Sequence, residues 1–139
     1  MPVKSYTFHL DTEGLNDVRD LTLQIEGFLK SSRLANGILT AFVPGSTAAV
    51  TTIEFEQGAV EDLKTAIDRL APRGIHYNHD ARWGDGNGFA HVRAALIGPS
   101  LSVPFCDGRL QLGTWQQIVL IDFDNRPRAR EVRVQIIGE

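Results

Sequence analysis

"GRLQLGTWQQIVLIDFDNRPRAREVRVQIIGE", residues 108–139, reads as β structure almost throughout. Apolar and β-branched residues dominate from Arg109 to Phe123, and a break at Asp124-Asn125-Arg126-Pro127 separates them from a second run. In that second run Arg130, Val132, Val134 and Ile136 fall on one face, and Glu131, Arg133 and Gln135 on the other. This period of two is the mark of a strand with one buried face. Upstream, LSVPF (101–105) leads into Asp107-Gly108, a hairpin signal because both turn residues tolerate positive φ.

Working outward, VKSYTFHL (3–10) alternates in the same way, with Tyr6, Phe8 and Leu10 on one face and His9 on the other. DVRDLTLQIEGFLKSS (17–32) spaces Val18, Leu21, Ile25, Phe28 and Leu29 by threes and fours, which predicts an amphipathic helix capped by Asn16 or Asp17. GILTAFVP (37–44) and AAVTTIEF (48–55) read as strands joined across Gly45-Ser46-Thr47. VEDLKTAIDRL (60–70) places Val60, Leu63, Ile67 and Leu70 on one helical face, ending at Pro72. Residues 72–88 are expected as a loop, followed by FAHVRAAL (89–96), which allows a helical turn or two. The fold class expected is α+β, one domain over residues 1–139, with mostly antiparallel, sandwich-like sheets and two main helices.

At 139 residues, 42% hydrophobic and 22% charged, the chain is long enough to bury a core without disulfides. A net charge of −3 excludes the basic footprint of non-specific nucleic-acid binding. No apolar run reaches the length that spans a bilayer, so no membrane partner is expected. Cys106 is the single cysteine, no secretory leader is expected from the first residues, and the compartment expected is the cytoplasm.

The polar stretch HYNHDARWGDGNGFAH (76–91) holds the main candidate chemistry. His79 and His91 offer two metal ligands, with Asp80 or Asp85 as a third ligand or as an orienting carboxylate; a surface loop with hydrogen-bonded histidines explains the same residues. Ser46 and Thr47 form a candidate anion cradle or a plain turn, and lack the spacing of a nucleotide P-loop. Glu54 is a candidate general acid or base, or an exposed strand-end carboxylate. Arg126, Arg128, Arg130 and Arg133 suit phosphate, or make a solvated strand face. Cys106 is expected as a packed thiol, and Trp83 as a packing residue or a ring that stacks on a planar ligand or plugs an interface.

Taken together, VPGSTAAVTTIE (43–54), HYNHDARWGDGNGFAH, GPSLSVPF (98–105), GRLQLGTWQQIVLIDFDNRPR (108–128) and the closing Gly138-Glu139 resemble the YjbQ-like family, often labelled secondary thiamine-phosphate synthase. Gly113-Thr114-Trp115-Gln116-Gln117 is the most specific mark. The resemblance implies a sandwich-based α+β fold, a homotrimer with sites near the subunit contacts, and a weak thiamine-phosphate synthase activity on small phosphorylated substrates. It also implies a divalent metal, zinc or magnesium, on His79 and His91. Catalytic roles carry over to His79, Asp80, His91 and Glu54, and substrate contacts to Ser46, Thr47, Arg130, Trp115 and Gln116. Two departures stand out: Gly45 and Phe89 occupy positions where many relatives have histidine. With one of three neutral ligands missing, the metal is held less tightly unless an aspartate substitutes. Three functions stay open: a transferase of this kind, a trimeric protein that binds an anion or metabolite without turnover, and a metal-dependent hydrolase.

Overall fold

A computed structural model describes all residues from Met1 to Glu139. Strands β1 (Val3–Thr12), β2 (Asp17–Asp20), β3 (Gly37–Phe42), β4 (Ala48–Ile53), β5 (Ser100–Cys106), β6 (Arg109–Leu110), β7 (Gln117–Asp122) and β8 (Arg128–Gly138) alternate with helices α1 (Thr22–Ser32), α2 (Gln57–Leu70), α3 (Asn78–Trp83) and α4 (Gly88–Ile97). They build two antiparallel sheets, β1-β8-β3-β5-β6 and β2-β7-β4. The α+β class and its sandwich follow the expectation, with α3 and α4 added to the two main helices. No helix is long and apolar enough to cross a membrane.

The alternation of β8 sets the sandwich. Val132, Val134 and Ile136 are buried on its inner face and meet Ile118 and Leu120 of β7, Leu39 and Ala41 of β3, and Ile25 and Leu29 of α1. β7 is covered on both sides. Its other face, Val119 and Ile121, packs with Ala49, Ile67, Phe89, Ala90 and Ala94, so α2 and α4 form a third layer. Between Ile118 and Ile121 no side chain reaches solvent, which is why that run is continuously apolar.

Several local expectations are corrected. Asp17–Asp20 is an edge strand paired with β7, not the first turn of a helix. Leu15 and Asn16 have φ of 52° and 66°, and this turn cannot feed a helix directly. The helix begins at Thr22, whose N–H and hydroxyl both donate to Asp20 Oδ1. The expected cap Asn16 is buried and bonds Asp68 instead. Asp107 and Gly108 do form a positive-φ hairpin turn, but its second strand is only Arg109–Leu110, after which the chain crosses to β7 in the other sheet. Leu70 faces solvent at 72% exposure. Cys106 and Trp83 are exposed rather than packed.

Candidate functional site at the β7–β8 end

The register Ala48↔Asp122 puts the start of β4 beside the end of β7, and Leu10↔Arg130 puts the start of β8 beside the end of β1. Charged residues meet there, inside the sandwich. Asp122 and Asp124 are fully buried. Arg130 Nε and Nη2 donate to Asp122 Oδ2 and Oδ1 at 2.6 and 2.9 Å, Thr12 donates to the same carboxylate, and Arg130 Nη2 also donates to Thr47 Oγ1 at 2.6 Å. Thr47 Oγ1 then donates to Asp124 Oδ2 at 2.9 Å, as does Asn87 Nδ2 at 3.1 Å, and Arg128 Nε lies 3.0 Å from the same oxygen. Burial alone would raise the Asp124 carboxyl; the hydrogen bonds from Asn87 and Thr47 and the Arg128 charge outweigh it and hold the group below its ordinary value.

Asn87 carries this network to the histidine segment. Its Oδ1 accepts from Asn125 N–H, Asn125 Nδ2 donates to Asp85 O, and Asn87 N–H donates to Asp85 Oδ1. The expected loop is in large part helical, α3 followed by the start of α4. Gly88 explains how the two approach: a Cβ there would lie 2.6 Å from Tyr77 Cβ, and the Gly88 N–H donates to Asp80 Oδ1 at 2.8 Å. The result is a close pair of imidazoles, His79 and His91, with ring centroids 4.3 Å apart and planes tilted by 41°.

His79 Nδ1 is buried and faces Asp85 Oδ1 at 3.3 Å and Asp80 Oδ1 at 3.5 Å, yet neither contact is a hydrogen bond. Ligand atoms of His79, Asp80 and Asp85 lie within 4.8 Å of one another, a donor set that suits a divalent cation. His91 lies beside this set, its ring tilted against that of His79, without joining it. Burial, then the neighbouring His79, holds the His91 imidazole below its ordinary value against the opposing charges of Asp85, Asp124 and Asp80. His91 also lines a groove of about 240 Å³ with Gly45, Ser46, Ala48, Ala94, Ala95 and Pro99.

The structure therefore brings His79, Asp80, His91, Ser46, Thr47 and Arg130 to one end of the molecule. Glu54, Trp115 and Gln116 lie at the other, because Ile53 pairs with Gln117 there. A six-residue strand separates the two groups by roughly 20 Å. Glu54 is exposed, Trp115 is 68% exposed, and the Gln116 side chain bonds Gly113 N–H and Thr52. Arg130 is not part of a solvated strand face but a buried partner of Asp122. Asp122, Asp124 and Asn87 were not singled out by sequence reasoning. Two carboxylates flanking Phe123 at the end of an apolar strand, followed by an arginine run, are the signal that marks such a buried network.

The two departures from the resemblance have clear geometry. Phe89 is 2% exposed and points into the helix layer, with the Arg93 and Arg73 guanidinium carbons 4.9 and 5.2 Å from its ring centroid. At Gly45 an added Cβ would lie 2.8 Å from Arg130 Nη1, so a larger residue requires the guanidinium to move.

Residues 6–139 match the family described as UPF0047 protein YjbQ-like. The chain belongs to that family. A UPF0047 protein of Methanothermobacter thermautotrophicus is 35% identical over 139 residues, covering 100% of this chain and 95% of the relative. The YugU protein of Bacillus subtilis, also UPF0047, is 30% identical over 133 residues, covering 95% of this chain and 98% of its own. Among solved structures, a hypothetical protein of Aeropyrum pernix superposes with a TM-score of 0.90 at 35% identity, covering 98% of this chain and 99% of that one. A YbjQ-like protein of Sulfolobus solfataricus gives 0.89 at 32% identity, covering 99% and 100%. The antiparallel α+β architecture described above is thus that of YjbQ-like proteins.

Proposed function

We propose that the histidine end of the sandwich is a ligand site for a small phosphorylated metabolite, with a divalent cation, zinc or magnesium, held by His79, Asp80 and Asp85. The observation that carries this reading is the buried, unpartnered His79 Nδ1 facing two carboxylates. An imidazole nitrogen in that position is either a wasted donor or a ligand atom. Asp80 and Asp85 are themselves oriented by the Gly88 and Asn87 N–H groups, as supporting hydrogen bonds orient metal ligands. When bound, the cation supplies the positive charge that phosphoryl oxygens need beside carboxylates. His91, whose imidazole burial and the neighbouring His79 hold below its ordinary value, is the proton acceptor on the groove side.

Thiamine-phosphate synthase chemistry belongs to the reaction class this site serves, since a departing diphosphate needs such a cation. Binding without turnover is the second reading. It is favoured by the distance of Glu54 from the imidazoles and by the commitment of two Arg130 nitrogens to Asp122. Self-association into a homotrimer is part of the proposal, and the exposed Trp83, Val92 and Leu96 on the two histidine-bearing helices are apolar surface that an assembly covers. The test is calorimetric titration of chelator-stripped protein with zinc and with magnesium. One equivalent binds the wild type, and His79→Ala weakens it about a hundredfold while Glu54→Ala does not. Equal binding by His79→Ala and wild type refutes the metal reading.

A further inference from the structure

We infer that β1 is a self-pairing edge: two copies of this chain join antiparallel along Val3–Asp11, about a two-fold axis at Thr7, so that two five-stranded sheets become one continuous sheet. The contact is separate from the ligand site, and from the apolar surface of Trp83, Val92 and Leu96 on α3 and α4.

β1 is the outermost strand of its sheet and pairs only with β8. Gly138 N–H donates to Pro2 O on one side of β8, and Glu139 N–H donates to Asn36 O on the other. The ladder bonds between β1 and β8 therefore fall on the even-numbered residues of β1. The N–H and C=O groups of Val3, Ser5, Thr7, His9 and Asp11 point away from the sheet, where no strand accepts them. The register runs unbroken from Val3 to Thr12, with no bulge to bend this edge aside. The other edges are protected: β6 has two residues, β2 has four, and β4 is covered where Val50 N–H donates to Gly98 O. Proteins keep open strand edges short, bent or covered unless another chain uses them. β1, with ten residues, is the exception.

The occupant follows from the sequence of the edge itself. Because the free groups belong to odd-numbered residues, a second copy running antiparallel engages all of them in one register, with Thr7 opposite the partner's Thr7. Val3 then faces the partner's Asp11 and Ser5 faces the partner's His9, and these pairs exchange about ten backbone hydrogen bonds. On the inner face Tyr6 meets the partner's Phe8 at a non-hydrogen-bonded position, where side chains approach most closely and aromatic pairs are favourable. Tyr6 is already held at the edge by stacking on Phe28, ring centroids 4.8 Å apart. On the outer face Thr7 pairs with Thr7, a favourable cross-strand pair. Lys4 falls opposite the partner's Leu10, so no like charges meet across the axis. An isologous contact of this kind joins two chains, or two threefold assemblies into six.

The experiment is sedimentation velocity on the full chain at roughly 1 to 100 µM, the range in which a contact of modest area associates. The wild type reaches a mass of two or six chains at the upper end. Thr7→Lys, at an exposed position on the free side of β1, sets two ammonium groups face to face and gives half that mass, with an unchanged circular dichroism spectrum. Thr7→Glu alone does the same. Mixing the two variants restores the full mass, because only the two-fold register places residue 7 opposite its own copy. Thr7→Pro removes one outward N–H and no bond to β8, and weakens the association about tenfold. An odd-numbered wild type at roughly 100 µM, a Thr7→Lys protein that keeps the full mass, or a mixture that stays at half overturns the inference.

Discussion

Arg130 shows how much one residue does here. Its guanidinium is the only cation in contact with the Asp122 carboxylate, and both are buried. Replacing it with methionine of similar length leaves the buried Asp122 charge without its cation, and urea unfolding should show a loss of about 3–5 kcal/mol. A loss below about 1 kcal/mol would mean that the pair is a bystander. Asp124 makes a pH prediction. Its carboxyl is held below the ordinary 3.8, so the unfolded chain takes up its proton first. The stability it contributes is complete above that value and is lost as pH falls through the folded-state value. Asp124→Asn should flatten the acid limb of the stability profile below about pH 4 while lowering stability at neutral pH. Parallel acid limbs in the two proteins would contradict this.

At the scale of elements, the paired strands were legible and the joints between them were not. β8 shows its buried face in a strict alternation from Arg130 to Ile136, and the apolar run of β7 matches its place between two layers. Periodicity misled at Asp17–Asp20, where Val18 and Leu21 happen to fit a helical step. What decides against the helix is the positive φ at Leu15 and Asn16, which spacing does not encode. Composition marked His79 and His91 as candidate ligands, but not that their rings meet, because they lie on different helices whose contact depends on Gly88. Two glycines test that reading. Gly88→Ala should cost about 1–3 kcal/mol by forcing α4 off Tyr77, whereas Gly27→Ala, on the open face of α1, should be neutral or stabilising by up to about 1 kcal/mol. Equal melting curves for both variants would show that α3 and α4 are not tightly apposed.

Over the whole molecule, the sandwich has two unlike ends. One holds the carboxylate and guanidinium network, the imidazoles and the groove; the other presents Glu54, Phe55 and the exposed Trp115. Residues that the family resemblance groups into one site are thus split by the length of β4 and β7. Chain order gave no sign of the split, because β4 and β7 run antiparallel and Glu54 and Gln116 meet across them at the end away from Thr47. The charge balance of the histidine end also differs from that of a simple phosphate grip. Arg130 is neutralised by Asp122, so Asp80 and Asp85 leave the surface acidic and a cation is the species it should recruit.

The most direct measurement of this central claim is anomalous diffraction at the zinc edge from crystals of the protein grown with zinc. The account predicts a single strong peak within bonding distance of His79 Nδ1 and the Asp80 and Asp85 carboxylates. A map with no peak there, or with zinc only at other surface residues, would contradict it.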